Sequence, residues 1–256
     1  MDLDHHLFFR FQSDLLDLPH PILDERKVFE PAHPWALQAA EELKDYLTHH
    51  FTTSHNFGFV SNQDGFVRGK MFGVLVVRNA LLEVGYLRAF SGKLDGSNHH
   101  RGFVPPVFDG LTEGSFLNIG MQELSRISAQ IKELESNLKE EDPLPSSLSD
   151  LLDRRKKHSQ ALHEQWYDSF CFRNKRGETK SLRMVFAHSE ALNPPGGAGE
   201  CAAPKLLQYA FSHNLEPLAL AEFYWGSPVS SHSCVHGSFY PPCADKCAPI
   251  LSFMLS

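Results

Sequence analysis

Cysteine is scarce in this chain: five residues in 256. An odd, small number at this length excludes a secreted scaffold held together by disulfides and points to reduced thiols. Long apolar runs are also missing. No stretch approaches the ~18 apolar residues that a membrane-spanning helix needs, so no membrane association is expected. The N-terminal "MDLDHHLFFRFQ" carries acidic residues where a secretory leader would carry Lys or Arg, and it has no apolar core of leader length. A cytoplasmic location is the expectation. An excess of positive charge is absent too. With 24 Lys and Arg against 31 Asp and Glu, the formal net charge is −7, so the chain as a whole is not built as a basic nucleic-acid grip. What remains is an ordinary globular composition, 42% hydrophobic and 21% charged, in a chain long enough to bury a core.

Along the chain, residues 1–35 read as an irregular arm, rich in proline and packed by Phe8, Phe9 and Phe11. Residues 36–115 read as the first part of an α/β domain. Pro34 suits the first turn of a helix whose apolar stripe is Leu37, Ala40, Leu43 and Leu47. Two apolar runs, Val74 to Val77 and Val84 to Phe90, flank a polar break at Arg78 and Asn79 and predict a buried β-hairpin. Residues 116–170 change character. Leu124, Ile127, Ile131, Leu134 and Leu138 recur at 3 and 4, a coiled-coil seam, and a Pro/Ser loop then separates a second helix with Leu151, Leu152, Leu162 and Trp166 inside. An antiparallel helical hairpin inserted into the domain is expected, and its seam offers a route to self-association. Residues 171–256 complete the domain: a strand pair turning at "RNKRGE", a helix from "CAAPKLL", a strand "LEPLALAEFYWG" and a helix through "PPCADKCAPILSFML". The expected class is α+β, a mixed sheet with helices.

The chemistry-bearing residues are the cysteines at the starts of the last two helices. On one helix, Cys243 and Cys247 would face the same way, and Cys201 could supply a third sulfur. Soft thiolates at three positions with a fourth left open are a zinc donor set. Helix N-termini favour thiolate, because free N–H groups and the dipole stabilise negative charge there. Zinc is thus the candidate cofactor, beside the plainer reading of three small buried hydrophobes with no cofactor at all. The layout of hairpin, ligand-headed helix, strand and cysteine-headed helix resembles the zinc deaminase core, and a deaminase-like topology is the finer expectation. The resemblance departs at two points. The second motif is Pro242-Cys243-x-x-x-Cys247, one residue longer than the family's Pro-Cys-x-x-Cys, and Ala203 stands where the catalytic Glu belongs. Glu200 and Glu222 are the remaining candidates for a proton carrier. Elsewhere, Arg154, Arg155, Lys156 and Lys157 form a basic run suited either to a solvated helix face or to RNA phosphates.

Several longer phrases, "GKMFGVLVV", "VGYLRAFSGKL", "GFVPPVFD", "GAGECAAPKLLQYAF", "PLALAEFYWG" and "HGSFYPPCADKCAPILSFML", resemble the N-terminal region found in a subset of bacterial RluA-type RNA pseudouridine synthases. The likeness runs from about Pro31 to the end. It implies an accessory region that targets or positions structured RNA, such as rRNA or tRNA, for a pseudouridylating isomerase. That family's catalytic Arg-Leu-Asp stretch is absent here, so the resemblance assigns no catalytic residue to this chain.

Overall fold

The computed structural model describes residues 7–60, 68–110, 112–136, 138, 145–187, 193–228 and 234–256. The protein is a mixed α+β structure that divides into two compact units, one formed by 1–107 with 171–256 and the other by 108–170.

The larger unit is organised on a three-stranded antiparallel sheet. Strand β1 (Lys70–Arg78) lies in the middle, with β2 (Val84–Phe90) on one side and β5 (Glu216–Trp225) on the other. Leu75 is opposite both Leu87 and Leu220, which fixes the register. The β1–β2 turn is held by Asn79, whose Oδ1 accepts from the N–H groups of Leu81 and Glu83.

Both faces of this sheet are covered, and that explains why β1 reads as an unbroken apolar run rather than an alternating one. On one face Phe72, Val74, Val76 and Phe223 pack with helix α1 (Pro34–His49). Pro34 opens α1, and His33 caps it by accepting from the Trp35 N–H. The buried stripe of α1 runs through Ala36, Ala39, Ala40, Leu43 and Leu47. Leu37, expected inside, is only half-buried, because the small alanines let the helix lie close to the sheet and rotate the contact line past it. On the other face lies α5 (Ala202–Ser212), nearly all of it buried. Gly73 makes this contact close: a Cβ there would stand 2.9 Å from the Ala202 Cβ and 3.2 Å from Leu206 Cδ1.

One charged group is sealed into the α1 face. The Arg88 guanidinium sits 3.8 Å above the Phe9 ring and 4.8 Å from that of Tyr46, and donates to the Tyr86 hydroxyl at 2.7 Å. Tyr86 in turn donates to Glu42. Aromatic faces carry much of the stabilisation that a carboxylate would otherwise give this cation. Phe9 also bridges to Tyr86 through its backbone, so the irregular arm is stitched to β2.

A second, two-stranded sheet is formed by β3 (Cys171–Arg173) and β4 (Thr179–Ser181), with Gly177 supplying the positive φ of the turn. Leu182 does not extend β4. It begins a short helix, α4 (Leu182–Phe186), because the Ser181 hydroxyl accepts from the Met184 N–H and caps a helical turn instead. The last helix, α6 (Ala248–Leu255), buries Ile250, Leu251, Met254 and Leu255.

The smaller unit contains helices α2 (Phe116–Ser136) and α3 (Ser146–Ser169). Ile127, Ile131 and Leu148 form its buried core, with Leu134, Leu138 and Leu151 against them. Glu123 meets Arg154 and Gly120 meets His158, so contacts retreat along α2 as they advance along α3. Gly120 permits close approach, since a Cβ there would collide with Leu162. Leu152, expected inside, is exposed, and Leu148 takes the inner place three residues before Leu151. Of the Pro/Ser stretch expected as a loop, residues 140–144 lie outside the described residues, and α3 already begins at Ser146. The apolar seam of α2 is thus already covered by α3.

Candidate metal centre

Cys201 is the N-cap of α5. It is delivered by the Gly-rich segment before it, where Gly197 and Gly199 have φ of 77° and 88°, conformations that a side chain would strain. The same corner is tied to the end of β2: the Gly92 N–H donates to the Glu200 carbonyl at 2.8 Å. Lys205, one turn into α5 and only 3% exposed, donates from Nζ to the carbonyls of Phe90 and Gly92 at 2.9 and 3.0 Å.

The other two cysteines are placed differently from the sequence expectation. Cys243 is not helical. It precedes a turn, and Cys247 is the N-cap of α6. Pro249 sets this boundary, since a residue without an N–H fits only the first turn of a helix. The two sulfurs meet because the N–H groups of Cys247 and Ala248 both donate to the Cys243 carbonyl, closing one tight turn. Their Sγ atoms are 3.4 Å apart.

All three sulfurs, from Cys201, Cys243 and Cys247, lie within 4.8 Å of one another. Such a triangle can hold a metal ion: thiolate ligands bind zinc at ~2.3 Å, so a modest contraction would bring all three to a common centre. Cys247 is buried, Cys201 half-buried and Cys243 exposed, so the triangle opens outward on the Cys243 side. Without metal, side-chain hydrogen bonding with Cys201 and Cys247, together with the backbone N–H groups of Lys246 and Cys247, lowers the Cys243 thiol well below the usual thiol range. The bond to Cys243 pushes Cys201 up, and Cys247 is pushed up by Cys201 first, then by Cys243 and by burial. The remaining cysteines, Cys171 and Cys234, do not belong to the triad.

Glu222 lies close enough to this triangle to act electrostatically on all three cysteines. It faces Gly73 across the β1–β5 ladder and is 6% exposed. Its Oε1 accepts the Ala203 N–H at 3.1 Å, one of the free donors at the start of α5. Burial raises its carboxyl to about 7, and the nearby Cys243 adds to that rise. Burial lowers Lys205 to about 8, opposed by Glu200 and Cys201. Glu200 is half-buried and belongs electrostatically to Lys70 and Lys205. The basic run of α3 is exposed and largely compensated. Arg154 pairs with Glu123 at 2.8 Å, Lys157 with Asp153 at 2.7 Å, and Arg155 donates to the Ser128 hydroxyl.

Two residues that shape this centre were not singled out from the sequence. Lys205 carried a signal, a lone cation inside the apolar run "AAPKLLQYAF". Gly73 carried a weaker one, a glycine inside a strand pattern. Comparisons with models of known protein families, with curated proteins and with solved structures return no match.

Proposed function

We propose that this chain is a zinc-holding accessory region of an RluA-type RNA pseudouridine synthase, a binding and positioning part rather than the catalytic one. The observation that carries the metal assignment is the meeting of three sulfurs from two chain segments. The RNA assignment rests on the sequence phrases quoted above. When bound, zinc would supply a cross-link between the starts of α5 and α6, and Cys201, Cys243 and Cys247 would hold it. The chain's own residues prepare the place. Gly73 lets α5 lie on the sheet, and Glu222 engages the Ala203 N–H. Lys205 pins the same corner to the end of β2. In this reading the deaminase-like layout, with β2-β1-β5 as its sheet and α2–α3 as an inserted antiparallel hairpin, is a scaffold. Ala203 lacks the carboxylate that deamination requires.

The test is metal analysis of protein purified without an affinity tag. About one zinc per chain is expected, lost in Cys201→Ser, Cys243→Ser and Cys247→Ser. A metal-free protein indifferent to chelators would remove the zinc. Structured RNA should bind in a salt-sensitive way with no pseudouridine formed by this chain alone, and an isolated chain that isomerises uridine would overturn the accessory role. The basic run contributes to RNA contact only to the extent that its ion pairs open, so Lys156 is its most available member.

A second reading, a zinc hydrolase acting on an amino-substituted heterocycle, is favoured by one observation. The Glu222 carboxylate is held on the backbone of residue 203, the position from which the deaminase carboxylate normally projects. Release of ammonia from cytidine or adenosine compounds by the zinc-loaded chain, abolished in Glu222→Gln, would put this reading first.

A further inference from the structure

We propose that Cys243 and Cys247 are a peroxide-reactive dithiol, in which Cys243 meets the oxidant and Cys247 closes an intrachain disulfide that dismantles the metal site. The pair stands on geometry alone, and only the release of metal rests on the zinc reading above. The two Sγ atoms are 3.4 Å apart, and a disulfide needs about 2.05 Å, so they must close by roughly 1.4 Å. Access differs between them. Cys243 stands at the surface, whereas Cys247 is 1% exposed, so a dissolved peroxide reaches the first sulfur and not the second. Backbone freedom selects the same pair. Ala244 and Asp245, between the two cysteines, are exposed and Lys246 is half-buried, so this turn can tighten without disturbing the core. Cys201 comes from another segment. It precedes the fully buried Ala202 and Ala203 and moves only with the packed start of α5. The third sulfur thus lies within 4.8 Å of the others yet is the least able to close on either.

The chemistry runs in two steps. First, a lone pair of the Cys243 sulfur attacks one oxygen of hydrogen peroxide. The S–O bond forms, the O–O bond breaks, and the departing hydroxide leaves as water with the thiol proton, or with one from solvent where the sulfur was on the metal. Then the Cys247 sulfur attacks the Cys243 sulfur. The S–S bond forms, the S–O bond breaks, and a second water leaves in the same way. Two thiols have lost two electrons, and one peroxide has become two waters. A disulfide sulfur is not a thiolate ligand, so Cys201 alone remains as a donor and the zinc is released.

The experiment treats the tag-free full chain, zinc-loaded and zinc-stripped, with hydrogen peroxide in small molar excess. Remaining thiols are then blocked with N-ethylmaleimide and the peptides mapped by mass spectrometry. Because Lys246 lies between the two cysteines, trypsin leaves them on separate peptides that only the disulfide holds together. A Cys243–Cys247 disulfide is expected in both samples, with the blockable thiols falling from five to three and returning on addition of dithiothreitol. A zinc-binding dye should record release from the loaded sample in step with the bond. Cys247→Ser should stop at a sulfenic acid on Cys243, trapped by dimedone, and Cys201→Ser should still form the disulfide. Circular dichroism checks that each variant is folded, and the wild-type map decides the matter if one is not. A bond from Cys201 to either partner as the main product, or five blockable thiols after peroxide, would overturn the inference and leave the zinc reading standing. The same disulfide in a chain that takes up no zinc would uphold the pair and remove the zinc reading.

Discussion

Gly73→Ala is the smallest change that tests how the centre is built. The new methyl carbon would stand 2.9 Å from the Ala202 Cβ, 3.2 Å from Leu206 Cδ1 and 3.4 Å from Glu222 Cγ. The first of these is closer than two carbon atoms sit in a packed interior, where ~3.5–4.0 Å is optimal. Leu206 can rotate and Glu222 can flex. Ala202 cannot, because its methyl group moves only with the first turn of α5. The substitution therefore lifts that turn from β1, and overpacking of this kind costs ~1–3 kcal/mol. Alanine also stiffens the unfolded chain, which returns ~0.4–1 kcal/mol, so the net loss is ~1–2 kcal/mol. At ~2–4 °C per kcal/mol for a domain of this size, Tm should fall by about 2–8 °C in a thermal melt under reducing conditions. Gly196→Ala is the control, since a methyl there meets nothing within 4 Å. If Gly73→Ala melts at or above the wild-type temperature, the close approach of α5 to β1 is not what the packing describes. The same variant displaces Cys201 relative to the other two sulfurs, so weaker zinc binding is the companion result under the metal reading.

Two further tests use pH. Lys205 is buried and lowered from 10.5 to about 8, so between those values the unfolded chain holds a proton that the folded chain lacks, and stability rises with pH. At ~1.4 kcal/mol per unit, urea unfolding of the wild type should gain ~3 kcal/mol relative to Lys205→Met from pH 8 to pH 10.5, and a constant difference would refute it. Tyr86 behaves in the opposite sense. Burial raises it from 10.0 to about 12, so its contribution is complete below pH 10 and is lost as pH rises through 12. Tyr86→Phe should flatten the alkaline part of the stability curve, and an ultraviolet titration should lose its latest tyrosinate step. An unchanged alkaline slope in the variant would show that Tyr86 is not sealed from solvent.

Much of this architecture was legible in the residues. Hydrophobic periodicity located α1, the β1–β2 hairpin, the two helices of the smaller unit, α5 and β5, because each element has one dominant period or an unbroken apolar run. Composition also brought Cys201, Cys243 and Cys247 to attention, and the structure does gather them. The errors are local and share a cause. Treating "PPCADKCAPIL" as one helix overlooked that Pro249 can sit only in a first turn, which leaves Cys243 outside α6. Placing Leu152 inside α3 followed the run of leucines rather than the helical spacing that pairs Leu148 with Leu151. The burial of Lys205 and the value of Gly73 were not legible, because each depends on which strand lies beneath α5. That is a long-range fact with no local signature.

The central pairing of the sheet has a consequence for the order in which the chain can assemble. Arg78 and Glu216, partners across β1 and β5, are separated by 138 residues, and the whole of the smaller unit lies between them. Residues 108–170 are contiguous and can condense on local contacts alone, whereas the third strand and the cysteine triangle must wait for residues 216–247. During synthesis, β1 would emerge with one neighbour and an open edge, and Cys201 would leave the ribosome well before Cys243 and Cys247 exist to meet it. The nascent β1 edge is thus the interval in which this sheet is most exposed to mispairing, and the sheet is completed only when residues 216–225 arrive.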